Sequence, residues 1–228
     1  MTELQAIMER HAVRSYTDEK LSPSVIAEIK NEISTANREG GLSIRLVSDE
    51  PKAFDSFMAH YGKFSGVKNY IVLAGRKKDK KLDEKLGYYG EKIAIKAQML
   101  GLNTCWVAMS FSKGTAKKSC KLDSNDKIVC VLALGKGAVK GVPHKSKQMT
   151  ELCEISGSMP DWFRSGMEAV MLAPTAMNQQ KFLFTLDGNK VSAESKGGFY
   201  SLVDLGIAKY HFEVGAGKEN FEWEYKMK

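Results

Sequence analysis

Residues 172–184, LAPTAMNQQKFLF, form a polar corner between a helical pattern and a strand-like pattern. Met167 and Met171 recur at helical spacing before it, whereas Phe182 and Phe184 alternate after it as one face of a strand does. The corner itself carries more hydrogen-bonding side chains than a plain turn requires. These side chains either satisfy stray backbone groups at a helix end or bind a flat ligand with a polar edge.

Two arginines near the N-terminus are spaced for anion binding. In RHAVRSY, residues 10–16, Arg10 and Arg14 are four residues apart and share one face if the segment is helical. Two guanidinium groups on one face can bind a phosphate through paired hydrogen bonds. The alternative is a surface helix end, where cations are favourable without a ligand. A second basic pair, Lys145 and Lys147, is a weaker signal of the same kind.

The composition limits the class of protein. The 228 residues include 34 Lys and Arg against 27 Asp and Glu, and the formal charge of +7 favours either nucleic acid or a phosphorylated cofactor as partner. No apolar run reaches the length of a membrane span, and the N-terminal MTELQAIMER lacks the pattern of a signal peptide. The four cysteines show no CxxC spacing, which indicates reduced thiols and a cytoplasmic protein.

Mixed helices and strands must position these residues. Thr2 and Gln5 have the pattern of a capping box, and Ser22 with Pro23 indicates the start of a second helix. Further helices are predicted at 85–100, 160–172 and 201–214, strands at 43–47, 69–75 and 127–135, and a hairpin through Asp187–Gly188. The charged stretch 136–158 is interpreted as a linker, and 75–85 as a solvated loop.

The two parts of the chain resemble each other in the order of their elements. An offset of 137 residues places Pro23 on Pro160, and an offset of 114 places Gly101 on Gly215. Helices ending in glycine are common, so neither match is decisive alone. Their agreement in order predicts two similar units around a shared axis, with a site that draws residues from both.

Several familiar sites are excluded by their spacing. The segment GKGAVKG, residues 135–141, follows a strand, but its glycines are wrongly spaced for a dinucleotide fingerprint and Pro143 interrupts the expected helix. No Walker loop is present, and the four histidines lack the spacing of zinc ligands. A Ser-His-Asp triad is not local in sequence and stays open, although no GxSxG elbow supports it.

Together these motifs resemble those of the nitroreductase family of flavin enzymes. Residues 10–14 resemble its Arg-His/Arg-Ser-x-Arg/Lys motif, and residues 173–182 resemble its Ala-Pro-Ser-x-x-Asn-x-Gln-Pro-Trp corner. The segment GLNTCWV, residues 101–107, resembles the family's Gly-Leu-Gly-Thr/Ser-x-Trp segment after the long central helix. Lys145 and Lys147 match by type and placement the basic residues that reach the phosphate. The resemblance spans most of the chain.

Three departures distinguish this sequence from typical members. Ala12 replaces the motif serine, and Lys181-Phe182 replaces Pro-Trp. The third departure is the order, because the corner lies in the second part of the chain, while residues 34–47 occupy its usual early place. The chain therefore resembles a smaller branch of single-chain, rearranged members, as if the usual homodimer had been fused and permuted.

The resemblance implies an α+β fold with a central, mostly antiparallel sheet flanked by helices, built from residues 1–150 and 151–228 as one compact unit. It implies FMN as cofactor, NADH or NADPH as reductant, and a nitroaromatic, quinone or similar small molecule as electron acceptor. No side chain is expected to be catalytic, and no metal is expected. The implied cofactor-binding residues are Arg10, His11, Arg14, Thr104, Cys105, Trp106, Lys145, Lys147, Pro174, Thr175, Ala176, Asn178 and Gln180.

The expected binding behaviour follows from the same resemblance. A monomer is expected to form a complete site, with neither a membrane nor a nucleic acid as partner. The alternatives are a flavin-binding protein with little turnover, which Ala12 and the altered corner favour, and a basic nucleic-acid-binding protein, which the charge favours.

Overall fold

The computed structural model describes residues 1–55 and 57–224. The helices in these ranges are α1 (Glu3–Glu9), α2 (Pro23–Gly40), α3 (Phe57–Tyr61), α4 (Leu82–Met99), α5 (Lys113–Cys120), α6 (Asp161–Val170) and α7 (Ser201–Ala216). The strands are β1 (Arg45–Val47), β2 (Asn69–Arg76), β3 (Asn103–Val107), β4 (Asp126–Gly135), β5 (Cys153–Ser156), β6 (Phe182–Asp187), β7 (Lys190–Ser195) and β8 (Glu222–Trp223).

The predicted helix ends form through the expected local contacts. Thr2 and Gln5 make the reciprocal bonds of a capping box at α1, with Gln5 N donating to Thr2 Oγ1 at 3.2 Å. Ser22 Oγ accepts from Val25 N at the start of α2. Gly101, with φ of 75°, follows α4 and donates its N–H to Gln98 O, so it ends the helix in the left-handed region that suits glycine.

The backbone contacts divide the chain into two compact units. The arginine unit comprises residues 10–82 and 92–143, and the corner unit comprises residues 1–9, 83–91 and 144–228. Helix α4 contributes residues to both. The boundary predicted between residues 150 and 151 divides the sequence into two similar halves, whereas the two units are defined by backbone contacts. The predicted boundary therefore stays a prediction.

The arginine unit is built on a four-stranded antiparallel sheet. Its strand order is β1-β2-β4-β3, with Tyr70 paired with Ala133 in the centre and Cys105 paired with the same residue at the edge. Strands β2 and β4 are almost wholly buried, as their apolar sequences predict. Phe54 packs against the rings of Phe64 and Tyr70 over this sheet. The unit therefore has its own hydrophobic core.

The corner unit contains a second four-stranded sheet, in the order β5-β6-β7-β8. β6 and β7 form the predicted antiparallel hairpin, while β5 joins β6 and β8 joins β7 in parallel. Helices α4 and α7 approach at two glycines, because a side chain on Gly87 would collide with Val203 O and one on Gly206 with Glu84 O. These glycines are therefore required for close helix packing.

Three elements depart from the sequence predictions. β5 lies inside the stretch interpreted as a linker, and α3 and α5 were not predicted. The sequence pattern does not indicate β5, because this strand is short and is stabilised by pairing with β6, about thirty residues away in the chain. None of the helices in the described ranges is long and apolar enough to cross a membrane.

Candidate functional site

The arginine motif is an extended segment beside strand β3. Helix α1 ends at Glu9, and Val13 N donates to Thr104 O at 3.2 Å, so the motif pairs with the outer edge of β3. The prediction that Arg10 and Arg14 share a helical face is therefore wrong. The N–H of Val13 bonds to a neighbouring strand instead of to the carbonyl four residues earlier in a helix.

Arg10 and Arg14 nevertheless act on the same two groups. Burial raises the pKa of the Cys105 thiol, and the charges of Arg14 and Arg10 lower it. Burial also raises the pKa of Tyr16 well above its ordinary value, and the same guanidinium groups again oppose this shift. Arg10 is buried, whereas Arg14 is exposed and lies 5.9 Å from the centroid of the Phe64 ring. The motif therefore concentrates positive charge beside Cys105.

Thr104 places a buried hydroxyl beside this motif. The residue is 1% exposed, and its Oγ1 has no hydrogen-bond partner among the described residues. A buried polar atom without a partner costs about 1–3 kcal/mol, so such atoms mark places where a ligand or water completes the bonding. The edge of β3 thus offers a hydroxyl as well as cations.

The neighbouring predicted residues have less to offer a ligand. Cys105 is buried with a raised pKa, so it is a protonated thiol at neutral pH and packs in the core. Trp106 is half-buried on the same strand. His11 is half-buried and packs against Gly141, where a side chain would lie 2.5 Å from His11 Cβ. These three residues therefore shape the surroundings of Arg10 and Arg14.

The corner consists of strained backbone. After α6 ends, Met177, Asn178 and Gln180 adopt φ values of 51°, 53° and 45°. This left-handed region costs roughly 1–2 kcal/mol per residue for most side chains, and asparagine tolerates it best. Three such residues within four positions persist only where surrounding contacts fix them, and strain of this kind concentrates at functional sites.

The amide side chains of the corner bind the segment that carries the two predicted lysines. Gln180 Oε1 accepts from Lys147 N at 2.8 Å, and Gln180 Nε2 donates to Lys145 O at 3.0 Å. Asn178 Nδ2 donates to the same Lys145 oxygen at 2.8 Å, and Thr175 Oγ1 accepts from Gln180 N. The structure therefore brings five predicted residues together, two of them through backbone atoms of the lysine segment.

This network changes the role of Gln180. Its side chain is 4% exposed, and both ends of the amide are bonded within the protein. Lys147 Nζ also donates to Gln180 O at 3.2 Å. Asn178 and Lys145 are exposed, so they are the members of the network that can meet a ligand. Pro174 and Ala176 contribute backbone to the turn, and Ala176 N is held by a residue outside the prediction.

That residue is Asp204, in the first turn of α7. Its Oδ1 accepts from Ala176 N at 2.9 Å, and its Oδ2 accepts from Gln179 Nε2 at 2.7 Å. Gln179 Nε2 also donates to Phe199 O at 2.7 Å. Burial raises the pKa of Asp204 to about 6. Sequence reasoning missed Asp204, although a carboxylate in the apolar run LVDLGIA is a signal that could have found it.

A family model described as "Putative TM nitroreductase" matches residues 3–216. The chain belongs to this nitroreductase family. Its α+β fold with an antiparallel sheet confirms the predicted fold class. The predicted fusion of two permuted halves stays a prediction. No curated protein gives a significant match to the sequence.

Three solved structures show the same fold at low sequence identity. A "putative nitroreductase" from Thermotoga maritima has a TM-score of 0.66 at 23% identity, over 96% of this chain and 85% of its own. A "putative nitroreductase" from Desulfovibrio desulfuricans in complex with FMN has a TM-score of 0.55 at 20% identity, over 70% and 99%. A "Putative NADH dehydrogenase/NAD(P)H nitroreductase" from Parabacteroides distasonis has a TM-score of 0.54 at 20% identity, over 66% and 95%.

Proposed function

We propose that this nitroreductase-family protein is an FMN-dependent oxidoreductase. It would take electrons from NADH or NADPH and deliver them to a nitroaromatic, quinone or similar small acceptor in the cytoplasm. The family match over residues 3–216 carries the proposal. The FMN complex of the Desulfovibrio relative and the name of the Parabacteroides relative, "Putative NADH dehydrogenase/NAD(P)H nitroreductase", support its two finer parts.

The chemistry of the arginine unit fits the phosphate end of FMN. Arg14 is exposed and able to make charge-assisted hydrogen bonds, and Arg10 adds positive charge beside it. The Thr104 hydroxyl lacks a partner and suits a phosphate or ribityl oxygen. Ala12 supplies no hydroxyl of its own. The unit carries 23 Lys and Arg against 11 Asp and Glu, and this charge of +12 attracts an anion.

The corner unit fits the polar edge of the isoalloxazine ring. Asn178 is exposed, and its position is fixed by bonds to Lys145 O and Gln180 Nε2. The Lys145 ammonium is exposed, while Lys147 is tied to Gln180 O. We assign Asn178 and Lys145 to ligand contact, and Gln180, Thr175 and Lys147 to positioning them.

When bound, FMN would supply the redox chemistry by accepting hydride at N5 and passing the electrons to the acceptor. The protein residues would bind the cofactor, orient it and leave one face of its ring open. No side chain is required as an acid or base. The protonated Cys105 thiol is not a nucleophile, and the Tyr16 hydroxyl, whose pKa is raised, donates to Val13 O at 2.6 Å.

Acid release of the bound flavin followed by chromatography tests the cofactor. We expect FMN, because Arg10 and Arg14 suit one terminal phosphate and no adenine-binding signature is present in the sequence. Recovery of FAD as the main flavin would overturn it. Steady-state oxidation of NADH or NADPH with menadione tests turnover. The replacement of the motif serine by Ala12 favours one competing function, a flavin-binding protein that gives an oxidised flavin spectrum but no turnover.

A further inference from the structure

Asp204 is a buried carboxylate without a cationic partner in the part of the chain that the structure describes. The residue is 2% exposed. Within residues 1–55 and 57–224, no lysine and no arginine forms an ion pair with its carboxylate. Its two hydrogen bonds come from a backbone N–H and from an amide side chain. A buried charge without a partner cation is costly, so an apolar or amide residue would be the more stable choice at this position. The carboxylate therefore calls for an explanation other than stability.

The two groups that Asp204 binds flank the strained residues. Ala176 immediately precedes Met177 and Asn178, and Gln179 follows them and precedes Gln180. The carboxylate therefore fixes the corner on both sides of Met177 and Asn178 and directly before Gln180. The Gln179 amide also holds Phe199 O. Residues 197–200 contain three further positive φ values, at Gly197, Gly198 and Tyr200. One carboxylate thus anchors the strained corner and, through the Gln179 amide, holds the segment that contains Tyr200.

We propose that Asp204 is a positioning residue whose ionised carboxylate holds the corner in the shape that receives the flavin ring. This inference rests on the proposed function, because it assigns the corner to FMN. An ionised carboxylate accepts hydrogen bonds at both oxygens, as the two donors here require. When the carboxyl is protonated, one of its oxygens carries a hydrogen and becomes a donor. That oxygen then faces another donor, so one of the two contacts is lost.

Burial is the main influence on the protonation of Asp204, because the charged side chains around the corner have other partners or lie at other residues. Residues 173–180 contain no titratable side chain. Lys196 pairs with Glu194, and Lys209 on α7 pairs with Glu84 of α4. Lys145 and Lys147 contact the corner at Asn178 and Gln180, and Lys181 lies beside Gly198. Burial raises the pKa of Asp204 to about 6, so ionisation is incomplete just below neutral pH.

The test compares Asp204→Asn with the wild type and with Asp187→Asn, an exposed carboxylate in the hairpin turn. FMN affinity is measured between pH 5 and 8, and riboflavin is titrated in parallel because the FMN phosphate also titrates near pH 6. We expect Asp204→Asn to bind both flavins roughly tenfold or more weakly at pH 7.5. The wild type should lose riboflavin affinity as pH falls through about 6, whereas Asp204→Asn should not.

Two further readouts distinguish positioning from a general structural role. Amide hydrogen exchange at Ala176 and Gln180 should be faster in Asp204→Asn, while the thermal midpoint at pH 7.5 stays equal or rises because a buried charge has been removed. Wild-type affinity and unchanged exchange in Asp204→Asn would overturn the proposal. If the wild type binds no flavin, the proposed function fails. Exchange at Ala176 then still decides whether Asp204 holds the corner, with unchanged exchange overturning it and faster exchange supporting it.

Discussion

The arginine unit and the corner unit offer a ligand opposite kinds of chemistry. The arginine unit has a formal charge of +12, while the corner unit has 11 Lys and Arg against 16 Asp and Glu and a formal charge of −5. Residues 10–16 have no positive φ value, whereas three of the four residues from Met177 to Gln180 do. Under the proposed function, attraction of the cofactor and recognition of its shape are therefore assigned to different parts of the chain.

Arg14→Ala should separate the charge contribution of the arginine unit from the shape contribution of the corner unit most clearly. We expect FMN to bind about ten- to a hundredfold more weakly, which corresponds to about 1.5–3 kcal/mol for a lost charge-assisted contact. Riboflavin, which has no phosphate, should bind as it does to the wild type. Lys78→Ala, an exposed residue of the same unit, is the matched control in a fluorescence titration. Equal FMN affinities of the two variants would remove Arg14 from the site.

The pH dependence of stability should report on the corner unit through Asp204. Its folded pKa of about 6 lies above the unfolded value of about 3.9, so its stabilising contribution is complete below pH 4 and is lost as pH rises through 6. The free energy of unfolding measured with urea should fall by about 3 kcal/mol over this window, since each unit of difference in pKa is worth about 1.4 kcal/mol. The Asp204→Asn variant should lack this loss of stability. A stability profile identical to that of the wild type would show that Asp204 does not titrate between pH 4 and 6.

Gln180→Ala should damage the corner without touching the charge of the arginine unit. Removing the amide leaves Lys147 N without its side-chain partner and Lys145 O with the Asn178 amide alone, at a cost of about 1–2 kcal/mol of unfolding free energy. FMN and riboflavin should both bind more weakly, in contrast to Arg14→Ala. Gln148→Ala, an exposed glutamine of the same unit, is the control. Loss of FMN affinity alone would assign Gln180 to the phosphate end.

Met177→Gly should give the smallest change, and it should be a gain. Glycine relieves the left-handed strain at φ of 51°, so the free energy of unfolding should rise by about 0.5–1 kcal/mol after the entropy of the unfolded chain is included. Val13→Gly in the extended arginine motif should instead destabilise the protein, because Val13 is buried and its φ is not positive. Destabilisation by both substitutions would show that the corner is not strained at Met177.

Local signals in the sequence predicted most elements. The capping box at Thr2, the helix start at Ser22 and the hairpin at Gly188 involve residues a few positions apart, and all three form. Sequence could not show that Glu3 accepts from Tyr210 Oη at 2.9 Å, a contact that brings α1 into the corner unit. Long-range packing of this kind also decides which residues share a unit, so segments distant in sequence are grouped together.

The site was predictable by residue type more than by role. Corner residues contact the lysine segment, and the bonds of Gln180 run to backbone atoms of that segment. Asp204, which holds Ala176 N, was not among the candidates. The segment Arg10–Arg14 is extended rather than helical, because Val13 N donates to Thr104 O of the neighbouring strand. Each of these outcomes depends on tertiary contacts.

Titration of flavin-free protein with FMN, with mass measured by light scattering, tests the central claim most directly. Only one arginine pair and one complete corner occur in the chain, since Asn37, Arg38 and Glu39 stand where the first part would need a second corner. We expect one FMN per 25.3 kDa chain, bound by the monomer. Two FMN per chain, binding confined to a homodimer fraction, or no FMN binding at all would contradict it.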